Sequence, residues 1–254
     1  MKGSEIWIGL LGKALGIKGA QVKRDAFLRQ ALQGYCTKDG IERAIETTPG
    51  EVLTAGQTDA IADAVIVHHR KLAASSSFVA GLPGGYALLA TIPADTAQYL
   101  LQCIVLSQKL AYIYGLRSLT DESGDRDRLI GAMTIFVGVM FGVSRANEAI
   151  NTLARVLADK AARELVAGTA ANAAMRPLVK RIAEALGLEL NKKTLGKMLQ
   201  KLLPLAGGVL SGGLTWVAFG KGAQKLQHAL KAAEIGKIAA TAPQPPEFHG
   251  CDSQ

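Results

Sequence analysis

Apolar residues recur at helical spacing along most of the chain. Before Gly34, the residues Val22, Phe27, Leu28, Ala31 and Leu32 form one stripe. In TDAIADAVIVHHRKLAAS, Ile61, Val65, His69 and Leu72 fall at i, i+4, i+8 and i+11, with Thr58 or Asp59 placed to cap the start. A long helix is predicted from Pro93 to about Tyr114, stopping at Gly115. Proline suits a first turn, and Asp95 there meets the positive end of the helix dipole. The dense polar segment GLRSLTDESGDRDR, residues 115–128, is the best candidate boundary. After it come LIGAMTIFVGVMFGV (129–143), a charged helix to about Val166, and a basic helix pair, RPLVKRIAEALG and NKKTLGKMLQKLL, with Asn191 as N-cap of the second.

The pattern closes with KLLPLAGGVLSGGLTWVAFGK and a helix around QKLQHALKAAE. The tail TAPQPPEFHGCDSQ is rich in proline and predicted to be disordered. No run alternates convincingly with period two, so no sheet is expected. The fold class is all-α: a compact bundle of about 8–10 helices with glycine-rich buried helices or hairpins. One helical domain covers 1–240, with a possible sub-boundary near 115–128 and the tail at 241–254.

Glycine shapes several of these helices. GxxxG occurs four times, at Gly12/Gly16, Gly81/Gly85, Gly138/Gly142 and Gly208/Gly212. Residues four apart share a helical face, so paired glycines make a strip where another backbone approaches closely. Gly81/Gly85 spans Pro83 in AGLPGGY, with Gly84 beside it, and reads as a turn. The apolar runs raise the question of a membrane span, which needs about 20 predominantly apolar residues. Residues 129–143 fall short. Residues 202–220 have the length but contain Gly207, Gly208, Gly212 and Gly213, each costing about 1 kcal/mol relative to alanine in a helix. The expectation is a tightly packed helix or hairpin, with enough apolar character to contact lipid.

Composition adds to this picture. Hydrophobic residues make up 49% of the chain but aromatics only 5%, so the apolar mass is small and aliphatic, suited to close helix contact. Net charge is +8, and it sits in two blocks. Residues 1–40 carry seven Lys/Arg against three acids, and residues 154–201 carry ten against four. Nucleic-acid binders usually interleave aromatics with such charge, and these are nearly absent, so no nucleic-acid partner is expected. An anionic membrane surface matches better. On IWIGLLGKALGIK, Trp7, Leu10, Leu11, Ala14 and Leu15 share a face away from Lys13, the pattern of an interfacial helix or of one that covers the core.

Cys36, Cys103 and Cys251 show no metal-ligand spacing and read as plain thiols of a reducing compartment. Glu5 and Lys13 interrupt the amino-terminal apolar run, so no export signal is read, and a cytoplasmic location at the inner face of the membrane is expected.

The reactive inventory is thin. His68 and His69 are adjacent, so on a helix they diverge by nearly 100° and chelate no metal together easily. His69 lies on the apolar stripe as a hydrogen-bonded core residue. Asp95 is the only formal charge between Lys71 and Lys109, and Cys103 and Ser107 stand one turn apart on the following helix. Asp95 with His68 or His69 is the only catalytic grouping to consider, as an uncharacterised hydrolase. Nucleotide-binding glycine motifs and a nucleophile elbow are missing. No metal or cofactor is expected.

Two stretches resemble the EcsC protein family. One is SSFVAGLPGGYALLATIPADTAQYLLQCIVLSQKLAYIYGL, carried by Gly81, Gly84, Gly85, Pro93, Ala94, Asp95, Ala111, Tyr114 and Gly115. The other is KLLPLAGGVLSGGLTWVAFGKGAQKL, carried by Lys201, Pro204, Gly208, Gly212, Gly220 and Ala223. Leu214 and Thr215 depart from the polar residue, often asparagine, common after the second glycine pair. The resemblance covers roughly residues 60–235. It implies a helical, membrane-associated protein and, through the family's place beside a transporter, a membrane transporter as partner. It carries no catalytic residues.

These readings converge on a non-enzymatic helical protein, peripheral to the membrane. Lipid contact is expected from Trp7, Lys13, Arg176, Lys180, Arg181, Lys192, Lys193, Lys197 and Lys201. Close packing is expected at Gly81, Gly84, Gly85, Gly138, Gly142, Gly208 and Gly212. The alternative is a soluble module holding a lipid or other hydrophobic ligand.

Overall fold

The computed structural model describes residues 3–75, 94–117, 119, 126–158, 170–191 and 212–233. Nine α-helices stand among the described residues, with no strand or sheet, so the fold is all-α. They are α1 (Gly3–Leu15), α2 (Arg24–Ala31), α3 (Lys38–Glu46), α4 (Ala55–Ala74), α5 (Ala94–Ile113), α6 (Arg126–Met140), α7 (Ala146–Ala158), α8 (Ala170–Asn191) and α9 (Gly212–Ala232). A 3-10 turn at Pro49–Glu51 links α3 to α4.

Local chemistry explains the boundaries, and two differ from the sequence reading. Helix α4 starts at Ala55, ahead of Thr58 and Asp59. Thr54 accepts from the Gln57 amide at 3.3 Å while the Gln57 side chain accepts from the Thr54 amide at 2.9 Å, a reciprocal capping box. Thr58 is buried inside the helix, its hydroxyl donating to the Thr54 carbonyl at 3.0 Å. Asn191 is the last residue given for α8, the helix expected after it lies outside the described residues, and α8 begins six residues before Arg176, running through Pro177. The expected stop at Gly115 holds. There φ is 100°, and the Leu116 amide reaches back to the Ala111 carbonyl at 2.9 Å.

Helices α5 and α6 lie against each other at the centre, and the rest surround them. Helix α6 is buried on every side from Leu129 to Met140, as expected of a helix apolar all round. Helices α4, α9 and α2 pack on α5, whereas α8, α9, α7 and α1 pack on α6. Elements on the two sides of 115–128 therefore share one hydrophobic core. Helix α1 runs antiparallel along α8, with Gly3 against Gly187 and no room for a β-carbon between the two backbones.

The central GxxxG pair does two different jobs. Gly138 packs: a β-carbon there would stand 2.5 Å from Ile182 Cγ2 of α8. Gly142, expected as a second packing position, is exposed and ends the helix instead. Its φ is 70°, and the amides of Gly142 and Val143 return to the carbonyls of Val139 and Gly138 at 2.9 and 2.8 Å. This is the left-handed termination that glycine adopts without strain. Gly81, Gly84, Gly85 and Gly208 lie outside the described residues, and Gly212 opens α9.

A half-buried arginine fixes the periphery. Arg24 donates to the carbonyls of Ile45 at 2.7 Å, Ala44 and Leu116 at 3.3 Å, and Thr47 at 3.4 Å. One guanidinium thus caps the end of α3 and ties it to the segment after α5, holding this short amphipathic helix in place. Replacing Arg24 with Met keeps the apolar stem and removes all four bonds. We expect this to lower the unfolding free energy by about 3 kcal/mol, because hydrogen bonds to a charged donor contribute about 1.5–3 kcal/mol each and some carbonyls regain water. Urea unfolding followed by far-UV circular dichroism measures it, and a loss below about 0.5 kcal/mol would contradict the capping role.

Candidate functional site

The register of α4 turns His69 inward against α5, where it is 2% exposed. Its Nδ1 lies 2.7 Å from Gln102 Oε1, and its buried Nε2 has no hydrogen-bond partner. Burial first, and the neighbouring Lys109 ammonium second, hold its pKa down to about 3. A neutral ring bonded to Gln102 Oε1 carries its proton on Nδ1. His69 is thus a core histidine, as its place on the apolar stripe predicted.

His68 is exposed and stands edge-on to His69, with ring centroids 5.3 Å apart and planes at 90°. The two imidazoles do not converge. Asp95 falls in the first turn of α5 as expected, while its side chain lies outside the described residues. Among the described residues no group of three or more His, Cys, Asp or Glu is placed to hold a metal ion.

Cys103 and Ser107, one turn apart on α5, both lie in packed core. Cys103 hydrogen-bonds with Tyr99, and burial pushes its thiol pKa well up. The Ser107 hydroxyl points to Met140 Sδ at 3.5 Å. Among the described residues neither is hydrogen-bonded to a histidine or a carboxylate, and Tyr99 packs between the rings of Phe141 and Phe219.

The lipid-contact expectation needs one correction. Trp7 is 2% exposed, and its indole N–H donates to Thr134 Oγ1 on α6 at 2.9 Å. The apolar face of α1 therefore covers the core and does not meet a bilayer. The charged positions fare differently. Lys13 on α1 and Arg176, Lys180 and Arg181 on α8 are all exposed, and none forms an ion pair among the described residues. Lys192, Lys193, Lys197 and Lys201 lie outside the described residues. Among the described residues no helix is long and apolar enough to cross a membrane, and residues 202–211 fall outside that description.

One feature escaped the sequence reading. A cleft of about 410 Å³ opens at the turn between α6 and α7, lined by Val139, Ser144, Arg145, Asn147, Glu148 and Lys225 among others. Arg145 has φ 66°, a left-handed conformation that sequence marks only when glycine or asparagine occupies it. Lys225 arrives from α9, 80 residues away in the chain, so no local motif links the two. Comparison with family models, with curated proteins and with solved structures found no match to this chain.

The His69 geometry sets a pH dependence. The folded pKa is depressed below the unfolded value near 6.5, so the unfolded chain gains a proton first as pH falls. His69's contribution is complete above about pH 6.5 and is lost progressively down to about pH 3. Between about pH 7 and pH 5 this removes about 2 kcal/mol of unfolding free energy. His69→Gln keeps a hydrogen-bonding side chain and removes the titration. Its stability is expected to fall less steeply over that range by this amount, as read from urea unfolding at both pH values.

Proposed function

We propose that this is a non-enzymatic, peripheral membrane protein that engages anionic phospholipid through its basic helices, at the inner face of the cell membrane. The observation that carries the reading is the set of cations on the α1–α8 pair. Lys13, Arg176, Lys180 and Arg181 are exposed and have no carboxylate partner among the described residues. Gly12 of α1 lies beside Arg126 and Ile130, and Gly131 beside Val179, so the carboxyl end of α1 and the Arg176 half of α8 sit at the same end of the bundle. Arg176 and Lys180 are four apart and share a helical face. Each cation near an anionic surface contributes about 1 kcal/mol. Lys192, Lys193, Lys197 and Lys201 extend the same basic run in sequence.

Membership of the EcsC family, with a membrane transporter as partner, belongs to the same proposal and rests on the two glycine-bearing stretches. The neutral, buried His69 and the raised Cys103 thiol argue against acid–base or thiol chemistry in the described core.

Flotation of the full chain with vesicles tests the reading. Binding is expected to vesicles containing phosphatidylglycerol, to be weak on purely zwitterionic vesicles, and to fall steeply with salt. Arg176→Gln with Lys180→Gln should weaken it by about thirtyfold, the equivalent of about 2 kcal/mol. Binding that ignores lipid charge and salt, or its complete absence, would sink the proposal.

A further inference from the structure

The turn joining α6 to α7 holds an arginine where its backbone favours glycine. The Ala146 amide donates to the Val143 carbonyl at 3.1 Å, closing the turn around Ser144 and Arg145. Arg145 is the one non-glycine residue with positive φ among the described residues. Glycine or asparagine would adopt that conformation with less strain, so the arginine is accounted for by its side chain rather than by its backbone.

Arg145 lines the cleft of about 410 Å³ together with Lys225. The Lys225 Nζ stands 3.1 Å from the position a β-carbon on Gly142 would take. The bare α-carbon of Gly142 therefore makes room for the ammonium. Neither Arg145 nor Lys225 pairs with a carboxylate among the described residues. Ser144 and Asn147, whose side chains carry neutral donors, line the same cleft.

Two cations from separate segments, in a cleft that also holds a serine and an asparagine, match the oxygens of a phosphate group. Glu148 lines the cleft as well and repels a bare anion. It suits a hydroxyl or ammonium carried next to the phosphate, to which a carboxylate accepts a hydrogen bond. We propose that the α6–α7 corner binds a phosphate ester bearing an adjacent hydroxyl or ammonium, with Arg145 and Lys225 holding the phosphate and Glu148 the neighbouring donor. The inference stands apart from the basic α1–α8 surface. A soluble phosphate ester and a phospholipid headgroup both present this chemistry.

Titration of the 15N-labelled full chain with glycerol 3-phosphate and with inorganic phosphate, followed by amide chemical shifts, tests it. Saturable shifts confined to Val143–Glu148 and the neighbourhood of Lys225 are expected, with glycerol 3-phosphate binding more tightly than inorganic phosphate. R145G preserves the turn and removes the guanidinium, and K225Q removes the ammonium. The double variant should melt no lower than the parent and lose affinity by at least about tenfold. Vesicles containing phosphatidylglycerol separate the two sources of ligand. Binding sensitive to R145G/K225Q, with weak binding of the soluble ester, assigns the headgroup, and the reverse assigns a soluble ester. If flotation fails while the soluble ester binds, the membrane reading falls and the cleft survives. Unsaturable shifts scattered over surface lysines, or unchanged binding by the double variant, would overturn the proposal.

Discussion

The arrangement depends on one constraint: α5 is enclosed by other helices, yet carries glutamine at 98, 102 and 108 on its buried surface. A buried amide with no partner costs roughly 1–3 kcal/mol, so each must find a neighbour of the right shape. Gln98 reaches the carbonyls of Leu72 and Ser75 at the end of α4. Gln102 takes His69, one turn earlier on the same helix. Gln108 donates to the Ala20 carbonyl at 2.7 Å and accepts from the Val22 amide at 2.9 Å, pinning the connection from α1 to α2. Three side chains on one helix thereby set the register of α4 and the path of the chain after α1. Apolar packing alone tolerates sliding far better than this.

Glycine supplies the second layer of specificity, by letting charged and bulky groups come close. Gly220 on α9 faces the Arg70 guanidinium, and a β-carbon there would meet Cζ at 2.7 Å. Arg70 meanwhile lies 4.3 Å over the Trp216 ring and donates to the Trp216 carbonyl at 3.1 Å. The small residue, the stacked ring and the cation form one joint between α4 and α9. Farther along the same pair, Asp59 of α4 accepts from both Lys231 of α9 and Tyr114 after α5, which keeps its carboxyl below the usual range, the Lys231 bond first among the causes. The Arg70 joint and the Gln98 and Gln102 bonds at the carboxyl end of α4, with the Asp59 joint at its amino end, tie α4, α5 and α9 into a single unit.

Much of this was legible in the sequence, for definite reasons. Apolar spacing at 3.6 residues gave the helical class. The positions Leu10, Leu11, Ala14 and Leu15 gave the buried face of α1, and Gly115 gave the end of α5. Trp7 misled because one amphipathic stripe serves equally for a core and for a bilayer, and only the Thr134 hydroxyl across the interface decides between them. Thr58 looked like a cap because the true one, Thr54, lies before the apolar stripe begins and works through Gln57. The corner cleft was invisible for a different reason. Its cations come from distant segments, and the backbone sign at Arg145 leaves no trace in residue type.

Gly142 has a wider consequence. Residues 126–158, read as one uninterrupted helix, would make a rod about 50 Å long with its most apolar stretch in the first half. The left-handed dihedral at Gly142 bends that rod into a corner, so α7 folds back beside the helix it follows. That turn thus decides whether the greasy segment before it serves as a central pillar or as an unsheathed spike.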